Sequence, residues 1–355
     1  MTLRLGVLDQ SPIISGHTPA EALRETIALA QHAEALGYSR YWLAEHHAIA
    51  ALADPCPEIL VAAVAAATSR IRVGTGGVLL PYYSPLKTAE VFRMLEALHP
   101  GRIDLGIGRA PGGDMTTARA MSGGQYGGAE DFPEQVQDLV GFLDDTLPAD
   151  HPFARVKAMP AGPTAPEVWL LGSSGYSGAL AAHLGLRFAF AHFISAEGGD
   201  AVMRDYQAKF QPSARERRPA ALLCSFVICA DSDEEAEQLA KSIDLRRLHM
   251  ALGVDAPVPT LAEATARNYS AQERAYIQQQ RARLVLGSPG TVKARLLELA
   301  AQYGADELSI LTITGDYASR RRSYELVAGA FGLEPGLKAQ HNPSGTAPRE
   351  PALTS

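Results

Sequence analysis

Three short segments of this chain carry residue types that can do chemistry. Glu45-His46-His47 sets a carboxylate beside two imidazoles, directly after Tyr41-Trp-Leu-Ala44. A histidine at the end of a strand can exchange a proton near neutral pH. Successive strand residues face opposite ways, so the pattern predicts that only one of the two points into a site, unless both merely bridge loops. Consecutive histidines on a strand cannot both reach one ion, and no third ligand is suggested, so a metal is not expected. The second segment is Gly106-Ile-Gly108-Arg109-Ala110-Pro111-Gly112. Its glycines resemble a dinucleotide fingerprint only superficially. Pro111 takes the third position, no helix opens there, and no acid follows about 20 residues on to hold a ribose. Arg109 remains, an always-charged fork suited to a phosphate or to an ion pair with Asp114. The third segment, Gly172-Ser173-Ser174-Gly175-Tyr176-Ser177, offers hydroxyls and backbone N–H groups where a helix begins. It reads as an anion site or as a simple N-cap. It fits neither a hydrolase nucleophile elbow nor a Walker loop.

These segments need a frame that brings their ends to one rim. Apolar strand patterns are expected at 4–9, 41–45, 72–79, 103–108, 168–172, 188–191, 222–229 and 308–313. Helical patterns fall between them at 19–36, 57–68, 85–98, 133–143, 177–184, 199–210, 232–248 and 291–303, with 319–331 closing the chain. Eight strands alternating with helices predict one α/β domain, a (β/α)8 barrel over residues 1–335. A doubly wound sheet is the weaker reading, because no linker divides the chain. The runs at 71–80 and 102–109 both end in glycine, which allows a flat ligand to approach backbone closely. His192, after the sixth strand, also reaches the rim. Long segments at 110–132, 148–166 and 251–286 exceed ordinary connections, so insertions are expected after strands 4 and 7. The last reads either as a lid or as a surface helical hairpin. Residues 336–355 read as a disordered tail.

At 355 residues and 46% hydrophobic, the chain can bury a large core. Its net charge is -7, with lysine and arginine scattered, which argues against a nucleic-acid or anionic-membrane partner. No run approaches the roughly 20 apolar residues of a membrane span. Cys56, Cys224 and Cys229 lack disulfide or zinc spacing and read as core residues. A soluble, cytoplasmic setting is expected.

Together, Tyr41-Trp-Leu-Ala-Glu-His-His47, Val73-Gly-Thr-Gly-Gly-Val-Leu-Leu-Pro81, Pro100-Gly-Arg-Ile-Asp-Leu-Gly-Ile-Gly-Arg109 and Val168-Trp-Leu-Leu-Gly-Ser-Ser174 resemble the bacterial luciferase-like flavin monooxygenases. The overall pattern is similar to their group 1, MsnO8-like oxidoreductases. The resemblance covers residues 3–331. It implies a (β/α)8 barrel that uses reduced FMN (FMNH2) and O2 to oxygenate a small organic substrate through a flavin C4a-peroxide. It further implies a separate NAD(P)H flavin reductase and a homodimer. The family's non-proline cis peptide would fall at Gly76-Gly77, with the flavin ring near it and near Gly108. The phosphate would lie among Arg109, Ala110, Ser173, Ser174, Tyr176 and Ser177. His46 would act in proton transfer with Glu45 beside it, and His192 would sit near the pyrimidine edge. Gly108 and Ser173 stand where the light-emitting enzymes carry cysteine and glutamate, so light emission is not implied. The branch using deazaflavin F420 for hydride transfer shares the fold and supplies the alternative cofactor. A non-catalytic flavin-binding protein is the alternative outside enzymes.

Overall fold

Residues 3–123 and 130–334 are described by the structure, a computed structural model. Its elements run β1 (Arg4–Asp9), α1 (Pro19–Leu36), β2 (Arg40–Leu43), α2 (Pro57–Ala67), β3 (Arg72–Thr75), β4 (Val78–Leu79), α3 (Pro85–Leu98), β5 (Ile103–Gly108), α4 (Met115–Met121) and α5 (Phe132–Asp144). There follow β6 (Glu167–Gly172), α6 (Gly175–Leu184), β7 (Arg187–Ala191), α7 (Gly199–Lys209), β8 (Ala221–Cys229), α8 (Asp233–Ala251), α9 (Leu261–Ala266), α10 (Ala271–Arg281), β9 (Leu284–Gly287), α11 (Pro289–Tyr303), β10 (Glu307–Leu311) and α12 (Tyr317–Phe331). Strands β1, β2, β3, β5, β6, β7, β8 and β10 form a parallel ring. It closes because β10 pairs with β1 on one side and with β8 on the other. The expected (β/α)8 barrel is therefore the fold.

Alternation along the strands explains both layers of the core. Leu8, Trp42, Trp169, Ala189, Leu222, Cys224, Phe226 and Leu311 share one buried cluster inside the ring. Their neighbours Val7, Tyr41, Leu43, Val73, Leu105, Leu170, Phe188, Leu223 and Ile310 face outward and pack under the helices. Toward the strand beginnings the interior is charged. Buried Arg40 contacts Asp104 and places Nε 2.6 Å from Glu307, while Arg72 Nη2 lies 2.6 Å from Asp104. The Trp42 indole donates to the same Asp104 carboxylate at 2.8 Å. Buried ions need such complete pairing. This plug fills the N-terminal end of the barrel and leaves the C-terminal end, where the three chemical segments emerge, for a site.

Several expectations need correction. The second strand stops at Leu43 rather than at residue 45, because the backbone N–H groups of His46 and His47 bond the loop carbonyls of Asp54 and Gly112 at 3.0 and 2.9 Å. The third strand is interrupted between Thr75 and Val78. The insertion after the seventh barrel strand is larger and more ordered than its polar composition indicated. Beyond α8, which was expected, it contains α9, α10 and the unforeseen β9, which pairs Leu284–Gly287 with Phe226–Cys229. Capping boxes at Thr260/Glu263 and Ser270/Glu273 start α9 and α10. The segment after the fourth barrel strand contains α4, capped by the Asp114 carboxylate. The expected tail, residues 336–355, lies outside the described residues. Among the described residues, no helix is long and apolar enough to cross a membrane.

Candidate active site

Backbone alone forms the floor of the barrel mouth. The Gly76–Gly77 peptide is cis, as the resemblance implies. A Cβ on Gly77 would lie 2.6 Å from the carbonyl oxygen of Gly106, and one on Gly106 would lie 2.1 Å from that of Thr75. No side chain fits between these strands. Gly108 is different: an added Cβ there meets nothing nearer than Leu79 Cδ2 at 3.5 Å. Its missing side chain is not demanded by packing and leaves room above the floor.

Beyond Gly108 the chain turns to Arg109, whose guanidinium stacks over the Tyr176 ring 4.1 Å from its centroid. Among the described residues no carboxylate pairs with Arg109. Asp114 accepts instead from the Thr117 backbone N–H at 2.7 Å. Tyr176 belongs to the first turn of α6, which begins at Gly175 rather than at the expected Ser177. Ser174 occupies the N-cap, yet its hydroxyl makes no capping hydrogen bond. The simple N-cap reading therefore fails, and first-turn N–H groups stay available beside an unpaired cation. Ser173, Ser174 and Tyr176 are at least partly exposed, as are Arg109 and Ala110, while Ser177 is buried beneath them. This arrangement fits a phosphate, and the glycine floor fits a flat ring.

The next wall is the chain that follows β2. Glu45 is buried and fully engaged: it meets His47 Nε2 at 2.7 Å, the Tyr83 hydroxyl at 2.6 Å and the Leu79 N–H at 2.9 Å. It thus ties the end of β2 to β4, next to the cis peptide. His47 is held in this cluster, so one histidine of the pair is structural and His46 is left for the mouth. The His46 Nδ1 atom is buried without a hydrogen-bond partner among the described residues. Burial, aided by the charge of Arg246, pushes its pKa down to about 4, so the ring is neutral at neutral pH. The carbonyl of Asp54 holds the His46 N–H, and burial, with Asp9 and other nearby carboxylates, raises the Asp54 carboxyl to about 7.

His192, expected near the ring's pyrimidine edge, has its Nδ1 buried without a hydrogen-bond partner among the described residues. Its ring makes a T-shaped contact with Tyr303 on α11, with centroids 5.6 Å apart. Two arginines absent from the sequence expectations face the mouth. Arg246 and Arg247 lie on α8, which packs its apolar side on Ile228, Leu311 and Ile313. Arg247 sits over the inward-facing ring of Phe226, 5.1 Å from its centroid. The signal was present in Leu245-Arg-Arg-Leu248, two adjacent cations flanked by leucines within a burying helix.

The pattern of the luciferase-like monooxygenases matches residues 3–307. An N-acetyl-S-alkylcysteine monooxygenase of Bacillus subtilis is 35% identical over 92% of this chain and 98% of its own. The crystal structure of apo-MsnO8 superimposes with a TM-score of 0.86 at 40% identity, covering 94% of this chain and 99% of the other. The oxygenating constituent of 3,6-diketocamphane monooxygenase from Pseudomonas putida, in complex with FMN, shares the fold, with a TM-score of 0.67 at 21% identity over 93% and 98% of the two chains. With the barrel, the cis glycine pair and the family match in agreement, the chain belongs to the luciferase-like monooxygenases and is an oxygenating oxidoreductase.

Proposed function

We propose that the protein is an FMN-dependent monooxygenase that takes reduced FMN and O2 and oxygenates a small organic substrate. One observation carries this reading: the uncapped start of α6 and the unpaired Arg109 stand together on the same rim as the glycine floor. In this reading Arg109, Ala110, Ser173, Ser174, Tyr176 and Ser177 hold the phosphate. Gly76, Gly77 and Gly108 support the ring. Reduced FMN, when bound, supplies the electrons that activate O2, at its C4a carbon. Neutral His46, with Nδ1 unsatisfied, accepts or holds a proton at the reacting edge. Glu45 acts through His47 and the Leu79 N–H as a positioning residue.

In this reading a separate NAD(P)H-dependent reductase delivers the reduced flavin. The homodimer reading draws support from Ile59 on α2 and Met94 and Leu98 on α3, three apolar side chains at least half exposed on adjoining helices.

Parallel titration with FMN and F420, followed by anaerobic reduction and mixing with O2, tests the reading. FMN binding and O2 consumption by the reduced complex are expected. Binding of F420 without affinity for FMN would transfer the site to hydride-transfer chemistry. FMN binding with no faster oxidation than free reduced flavin, and no effect of replacing His46, would make it a storage protein.

A further inference from the structure

The two arginines of α8 have no role in holding a flavin phosphate at α6. They stand across the ring from it: α8 covers the β8 and β10 side, whereas Arg109 and α6 follow β5 and β6. Arg246 is buried, its Nε has no hydrogen-bond partner, and its one described contact is from Nη1 to Met250 Sδ at 3.1 Å. Arg247 donates to the Gln280 carbonyl at 3.1 Å and stacks on Phe226. Among the described residues neither forms an ion pair. The carboxylates nearby are committed elsewhere. Asp244 is held by Arg281 through contacts of 2.6–3.1 Å, and exposed Asp255 accepts the Ala50 N–H at 2.8 Å. Arg283 adds a third positive charge and spends its guanidinium on Ile194 and Gln280. Burial lowers both Arg246 and Arg247 to about 10, and the neighbouring Arg283 adds to the shift of Arg247.

A buried guanidinium beside His46 and a half-buried one over an inward-facing phenylalanine, neither ion-paired among the described residues, form a preformed half of an ion pair. We infer that Arg246 and Arg247 bind the carboxylate of the organic substrate, and that the protein therefore oxygenates a small carboxylic acid with an apolar remainder. The carboxylate end is anchored on α8. The inference rests on the barrel mouth being the flavin site. It concerns the wall opposite the phosphate, so binding can be read separately for each ligand.

The test is isothermal titration of the FMN-saturated protein with matched probes: N-acetyl-S-benzylcysteine against its primary amide, and octanoate against octanamide. FMN affinity is measured first, so a failure to bind flavin counts against the proposed function and not against this inference. The acid of at least one pair is expected to bind at least about tenfold tighter than its amide, as loss of a charge-assisted contact requires. The double variant Arg246→Gln/Arg247→Gln is expected to lose that preference while binding FMN with unchanged affinity. The charge-preserving Arg246→Lys/Arg247→Lys keeps part of the preference and guards against a folding defect, which circular dichroism reports. Equal binding of acid and amide, or no binding of either, overturns the proposal. So does a glutamine variant that keeps its acid preference or loses FMN affinity instead.

Discussion

The Arg109 guanidinium lies over the face of Tyr176, joining the end of β5 to the first turn of α6. Neither residue is held there by a carboxylate, so the contact presents the cation beside the uncapped helix start rather than neutralising it. Arg109→Gln should raise the dissociation constant for FMN by roughly 30-fold, the equivalent of about 2 kcal/mol for one charge-assisted phosphate contact. Arg109→Lys should recover only part of this, because a lysine lacks the planar fork and stacks poorly on tyrosine. Quenching of FMN fluorescence measures both. Equal affinity in the glutamine variant would remove the phosphate from this corner.

The glycines of the floor separate packing from ligand accommodation. Gly106→Ala drives a Cβ to within 2.1 Å of a backbone oxygen, so it should destabilise the fold by about 3 kcal/mol or prevent folding. Gly108→Ala meets only ordinary contacts at 3.5 Å and should leave the melting temperature of the flavin-free protein unchanged. Its effect should appear instead when FMN is added, as weaker binding or an altered flavin absorbance spectrum. Thermal denaturation of both variants, with and without FMN, distinguishes the two roles.

His46 should act on rate and not on flavin binding. His46→Gln keeps a polar side chain of similar reach but cannot take up a proton. Product formation should fall about 100-fold with the FMN dissociation constant unchanged, as for loss of a proton-transfer group. Glu45→Gln should give a smaller loss together with a lower melting temperature, because Glu45 also anchors His47, Tyr83 and the Leu79 N–H. Steady-state rates, read beside the melting curves, check the distinction.

The barrel was legible because hydrophobic period and helix-start signals agreed over most of the chain. The Pro19, Pro57 and Pro85 helix starts and the strand ends at Asp9, Gly108 and Gly172 coincide with expectation. The phosphate corner was legible because its residues are close in sequence. What remained hidden depends on distant contacts. Nothing near His192 shows that its ring packs against Tyr303, more than one hundred residues later. Likewise, Arg246 and Arg247 gain meaning only when α8 crosses the mouth and no acid follows them there. The short β9 escaped because its pairing partner, β8, lies more than fifty residues away.

Acid sensitivity provides a check on the buried histidines. Burial lowers the pKa of both His46 and His192 to about 4, from about 6.5 in an unfolded chain. Between these values the unfolded chain binds more protons than the folded one, so stability falls as pH drops from about 6.5 to 4 and is fully present above that window. Asp54, raised to about 7, opposes this: its folded form keeps a proton that the unfolded chain releases above about 4. His192→Gln should flatten the acid limb of a urea-denaturation stability profile by close to one proton. An unchanged slope would mean that His192 takes up its proton equally in the folded and unfolded chain, and the lowering of its pKa by burial would fall.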